Sequence, residues 1–190
     1  VEFATKTGKR VIAGGPGNPP VVVDETADLD HAARCIIKGA SFSNCTPCSS
    51  EKEIFVVDSV ADKLKSLLIK YGAYELSKAH EEALLKEIFK EIRPGRVPSA
   101  INMDYIGKPP HVILKRAIDL DVPPETKIAI LETDKDHPLI WTEQIMPILP
   151  FVRCRDAKET VEFYRDVLNM DLVLAIAEDQ VPRTKAHEQY

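Results

Sequence analysis

The chain has 190 residues, of which 44% are hydrophobic and 29% charged, and its net charge is −5. Such values describe a folded globular domain and exclude a disordered or fibrous chain. The acidic balance argues against a nucleic-acid surface, and no apolar run reaches the ~18–20 residues of a membrane span. No charged-apolar-small leader opens the chain. It begins on Val1 rather than Met, so it reads as a piece of something longer, with a cytoplasmic setting expected.

Residues 1–8 predict the end of a helix, stopped at Gly8. Arg10–Ala13 predicts a short strand, followed by the breaker cluster Gly14-Gly15-Pro16-Gly17-Asn18-Pro19-Pro20. Pro20–Val23 is β-branched and reads as a buried strand. Asp28 caps a helix to about Ala40, with Leu29, Ala32, Ala33, Ile36 and Ile37 on one face. Ser41–Ser50 has no periodicity. Glu53–Asp58 is the next strand. Ser59 is placed as the cap of a helix to about Tyr71, and a charged helix follows from Ser77 to about Ile92. Residues 93–110 read as loop. Pro109–Leu120 is a helix with proline at its start, where a missing N–H costs least. Lys127–Leu131 and Ile148–Cys154 are strands, Asp156 to about Leu168 a helix, and Leu172–Ile176 a last strand. The tail Glu178–Tyr190 is polar. Strands alternating with helices predict an α/β fold: a layered, mostly parallel sheet with helices on both faces.

Four cysteines, at 35, 45, 48 and 154, are too few for a disulfide scaffold. Cys45-Thr46-Pro47-Cys48 is a CxxC, but no second pair or spaced histidine completes a zinc site, so no metal is expected. A redox pair stays open on spacing alone. Cys35 and Cys154 read as core thiols, since a free cysteine behaves as a small hydrophobe. Function in such folds gathers in loops beyond strand ends. Two loops qualify: the Gly/Pro cluster at 14–20 and the Asn44–Cys48 loop. The glycine cluster is followed by a strand rather than a helix, so it is no phosphate fingerprint.

Longer blocks carry more. Gly15–Asp28 (GPGNPPVVVDETAD), Ile37–Phe42, Asn44, Cys48, Glu51-Lys52 and Val56–Asp62 resemble the CoA-acylating aldehyde dehydrogenases. They are most similar to the acetaldehyde and propionaldehyde enzymes of ethanolamine and propanediol utilisation. A second block agrees: Leu131-Glu132-Thr133, His137-Pro138, Thr142-Glu143 and Met146–Pro150. The resemblance covers residues 1–165 and fades from Phe163. It implies a cysteine-bearing catalytic domain over residues 1–177, a polar tail over 178–190, and a cofactor-binding segment that would precede Val1.

By that resemblance Cys48 falls on the family's nucleophile, while Cys45 does not, which turns the CxxC into a coincidence. Asn44 matches an asparagine of the same loop and is expected, with Cys48, to be catalytic. Glu143 matches the glutamate that holds the nicotinamide ribose, and a carboxylate can accept from two hydroxyls at once. Gly14 and Gly15 would approach the nicotinamide end of the cofactor. Aldehyde dehydrogenases that release free acid carry a base 34 positions before the cysteine; here that position, 48 − 34, is Gly14. Without a base to activate water, an acyl group on Cys48 waits for a better nucleophile such as the thiol of coenzyme A. The resemblance thus implies a short-chain aldehyde, NAD and CoA as partners, a homo-oligomer in the longer protein, and a microcompartment as one setting. Two other readings stay open: the reductase portion of a fused aldehyde/alcohol enzyme, and a non-catalytic remnant. The isolated chain is expected to be inactive.

Overall fold

A computed structural model of the protein describes residues 2–12 and 17–167. The chain divides into two compact units, Val1–Ala157 and Lys158–Tyr190. In the first, helix α1 covers Glu2–Thr5 and strand β1 Pro20–Val23. Helix α2 spans Leu29–Ser41, β2 Glu53–Val57, α3 Asp58–Lys70 and β3 Ala73–Glu75. Helix α4 spans Lys78–Ile88, and a two-stranded ribbon pairs β4 (Phe89–Glu91) with β5 (Ala100–Ile101). Helix α5 covers Pro110–Ile118, and strands β6 and β7 cover Ile128–Thr133 and Ile148–Cys154. Helix α6, Ala157–Val167, lies almost wholly in the second unit.

Strands β1, β2, β7, β6 and β3 form one sheet in that order, every pair parallel. Parallel strands must be covered on both faces, which accounts for their continuous apolar runs. All five residues of β2 are buried. Alternation then splits the side chains between two cores. Ile128, Ile130, Leu149 and Phe151 pack with Ala33, Ile36, Leu64 and Leu68 of α2 and α3. Ala129, Leu131 and Ile148 pack on the other face with Leu84, Ile88, Ile113 and Leu114 of α4 and α5. Each buried Ile or Leu contributes roughly 1.5–3 kcal/mol. The expected architecture is therefore present, with helices on both faces.

The start of α2 is as read from the sequence: the Asp28 carboxylate accepts from the N–H groups of Asp30 and His31. Other elements differ. Arg10–Ile12 form no strand, and Ala13 lies outside the described residues. Helix α3 begins on Asp58 without a side-chain cap, so Ser59 is not one. The charged helix ends at Ile88. There Phe89 turns extended, φ −106° and ψ 135°, to bury its ring and pair with Ile101. Strand β3, only three residues between helices, was not expected, nor was β5 within the 93–110 loop. Cys35 is exposed rather than core, because it lies off the buried stripe of Leu29, Ala33, Ile36, Ile37 and Ala40. Cys154 is buried as expected. The expected strand at Leu172–Ile176 and the tail from Glu178 lie outside the described residues.

At the carboxyl end of the sheet the strand termini carry a lattice of ion pairs. Arg153 of β7 donates to Glu132 of β6 at 2.7 Å, to Asp58 at 3.1 Å and to Asp62. Lys65 joins Glu132 to Glu75, 2.8 Å away at the end of β3. Arg153 first, and then Lys65, hold the Glu132 carboxyl below its ordinary value of 4.5.

Candidate active site

Strands β1, β2 and β7 are adjacent and parallel, so the segments that enter them meet at one edge of the sheet. These segments are residues 17–19, 42–52 and 143–147. The candidate residues therefore gather at the amino ends of the strands, opposite to the end where open α/β sheets usually bind ligands. Backbone and amide hydrogen bonds tie the three together. The Lys52 N–H donates to Pro19 O at 2.9 Å. The buried Gln144 amide donates to Lys52 O at 2.7 Å and to Ile148 O at 3.2 Å. Asn18 donates to Leu139 O and Ile140 O at 3.1 and 3.0 Å.

The cysteine loop starts where α2 stops. Ser43, Asn44 and Cys45 follow one another with φ of 49°, 53° and 62°. Left-handed backbone costs roughly 1–2 kcal/mol for each non-glycine residue, and such runs need external bracing. Two braces are present. The Asn44 side-chain amide donates to Gly107 O at 2.9 Å, and the Gly107 N–H donates to Ile145 O at 3.2 Å, which reaches the β7 approach. Gly107 has φ +67°, a conformation that favours glycine. The second brace is Lys52, wholly buried, whose Nζ donates to Cys45 O at 2.8 Å and sits 3.7 Å from Cys45 Sγ.

Beyond the left-handed run the chain turns at Pro47–Ser50, closed by the Ser50 N–H to Pro47 O at 3.1 Å. Cys48 stands on this turn and is exposed. Its carbonyl oxygen lies 3.4 Å from the point a Cβ on Gly17 would occupy, so the glycine loop runs directly beside it. Cys45 is the opposite case. It is buried, and burial pushes its thiol up, against the pull of Lys52. The CxxC thus holds one accessible thiol and one enclosed, protonated thiol.

Glu143 is half-buried and stands in the segment that enters β7, next to Gln144, whose amide donates to Lys52 O. Gly14 and Gly15 lie outside the described residues. Among the described residues no group of three His, Cys, Asp or Glu side chains is placed to hold a metal.

Two residues of this edge, Gln144 and Glu53, escaped the sequence reading as site residues, and Lys52 entered it only within the Glu51-Lys52 block of the resemblance. Glu51-Lys52-Glu53 looks like a solvated charge run, yet Lys52 and Glu53 are 0% and 3% exposed. Burial pushes the Glu53 carboxyl up to about 9, so it is neutral at pH 7, and its Oε2 has no hydrogen-bond partner among the described residues. The available signal was position: both stand at the entry to a fully buried strand.

Residues 1–80 match the aldehyde dehydrogenase family model. The chain is 45% identical over 162 residues to the acetaldehyde dehydrogenase (acetylating) EutE of Salmonella typhimurium, covering 85% of this chain and 34% of the relative. It is 40% identical over 157 residues to the propanal dehydrogenase (CoA-propanoylating) of the same organism, covering 82% of this chain and 32% of the relative. A solved propionaldehyde dehydrogenase of Rhodopseudomonas palustris, with bound CoA and an acylated cysteine, superposes with a TM-score of 0.78 at 36% identity. That match covers 88% of this chain and 37% of the other. The chain spans about a third of the length of the relatives it matches.

Proposed function

Starting from this chain's homology with the CoA-acylating aldehyde dehydrogenases, we propose that it supplies the cysteine-bearing catalytic portion of such an enzyme. The substrates would be a short-chain aldehyde, NAD and CoA. What supports this most is Cys48: an exposed thiol on a tight turn, presented by a braced left-handed run, with Gly17 beside it.

In this reading the Cys48 thiolate adds to the aldehyde carbon and forms a hemithioacetal. The Cys48 backbone N–H faces the developing oxyanion. NAD, when bound, accepts the hydride that leaves this carbon, and a thioester remains on Cys48. Glu143 would hold the ribose next to the nicotinamide, since a half-buried carboxylate can accept from two hydroxyl donors. Gly14 and Gly15 would let the backbone approach the same ring. The thiol of CoA then attacks the thioester carbonyl, acyl-CoA leaves, and the Cys48 thiolate returns. Gly14 offers no carboxylate for water activation, so acyl transfer outruns hydrolysis. Asn44, whose amide is engaged by Gly107, would serve the turn as a brace. The homologue from a Clostridium phytofermentans fucose-utilisation microcompartment suggests the same kind of setting for this protein.

The test is a half-reaction that needs no dinucleotide. A small activated ester such as p-nitrophenyl acetate is used to load an acetyl group, and its release is followed with and without CoA. Release at least tenfold faster with CoA is expected. Equal release in buffer alone would mean that another group activates water, and the acyl-transfer assignment would fall.

A further inference from the structure

Lys52 makes hydrogen bonds to all three segments of the candidate site. Its N–H holds Pro19 of the glycine loop, its carbonyl receives the Gln144 amide beside Glu143, and its ammonium holds Cys45 of the cysteine turn. The ammonium is fully buried, and both side-chain hydrogen bonds it makes among the described residues go to Cys45, to the carbonyl at 2.8 Å and to the thiol at 3.7 Å. A buried ammonium is retained only where it is satisfied, and removing it leaves its partner carbonyl unpaired in a dry site. Here that carbonyl belongs to the last of three consecutive left-handed residues, three positions before Cys48.

We propose that Lys52 is a positioning residue for Cys48: its ammonium, through the Cys45 carbonyl, holds the Ser43–Cys45 run in its left-handed form and so fixes the turn that presents the nucleophile. The proposal rests on the reading of Cys48 as that nucleophile. The two can fail separately, because the bracing is read from the burial of Cys45 and the reactivity from Cys48.

Alkylation with excess iodoacetamide under native conditions, followed by peptide mapping, reports all four thiols. In the parent chain Cys35 and Cys48 are exposed and react, while Cys45 and Cys154 are protected. In Lys52→Met, Cys45 should label at least tenfold faster while Cys154, on the sheet, stays protected. Adding Ser43→Gly to that variant should return most of the Cys45 protection, because a glycine lowers the cost of the left-handed run that Lys52 otherwise opposes. A residue that merely filled space would show no such rescue. Unchanged Cys45 protection in Lys52→Met overturns the proposal. If Lys52→Met exposes Cys154 too, the domain has opened, and the double variant decides: restored protection of both thiols supports the brace, and continued exposure of both overturns it. Cys48 labelling no faster than Cys35 in the parent chain counts against the nucleophile, and leaves the bracing result standing.

Discussion

The two ends of the sheet are built to different rules. At the carboxyl end, Arg153 and Lys65 are each shared among several carboxylates, and Glu132, Glu75, Asp58 and Asp62 are all ion-paired. At the amino end the buried charged side chains, among the described residues, are not ion-paired in this way. A buried ammonium is spent on a backbone carbonyl, a buried carboxyl lacks a partner on one oxygen, and Ser43, Asn44, Cys45 and Ile145 hold positive φ. Strain and imperfectly satisfied polar groups persist only where the surroundings over-determine them, and they gather at functional sites. The same strands thus end in an ion-paired lattice on one side and, in the proposed function, a prepared site on the other.

That contrast can be broken most sharply at Cys48. Cys48→Ser should lower acyl loading from an activated ester by about 1,000-fold or more, since nothing else in the turn replaces the thiolate. Mass analysis of the acylated peptide checks it, and loading that persists on Cys35 or Cys45 would move the site.

The next effect belongs to Glu53. Unfolded, its carboxyl ionises near 4.5; folded, it holds its proton to about 9. Between those values the unfolded state has lost a proton that the native state keeps, so stability falls as pH rises through that window. At about 1.4 kcal/mol per pH unit, the loss reaches roughly 3 kcal/mol at pH 7. Glu53→Gln should therefore be more stable than the parent at pH 7–8 and equal to it near pH 4. Urea unfolding across this range reads the difference, and parallel profiles would show that the carboxyl is paired.

The carboxyl-end lattice predicts a smaller and opposite dependence. Glu132 is held below its ordinary value, so its contribution is complete above pH 4.5 and is lost as pH falls below it. Glu132→Gln should cost about 1 kcal/mol at pH 7, with the cost shrinking in high salt. A salt-independent cost would point to packing instead of charge. Smallest of all, Ser43→Gly alone should gain up to about 1 kcal/mol by relieving one left-handed residue at an exposed position. Its thiol map should match that of the parent chain.

The layers were legible because the signals were periodic or continuous. The Asp28 cap, the α2 stripe and the apolar runs of β2, β6 and β7 each specify an element locally. Strand β3 was too short to show a period, and the end of α4 was decided by where Phe89 could be buried. Cys35 was misread because its neighbours Ile36 and Ile37 are core while its own direction is not. Cys48, Asn44 and Glu143 were singled out through family resemblance, and the structure brings their segments to one edge. The burial of Lys52 and Glu53 was not legible, because charge in sequence says nothing of burial: Glu51-Lys52-Glu53 has the composition of a surface and the position of a strand entry.

The claim that the amino end is the chemical end is tested most directly by the order in which the native thiols react. With iodoacetamide held below one equivalent, peptide mapping should find Cys48 modified first, Cys35 second, and Cys45 and Cys154 hardly at all. Modification led by Cys35, or shared evenly between Cys35 and Cys48, would show that the braced turn confers no reactivity on its thiol and would contradict the account.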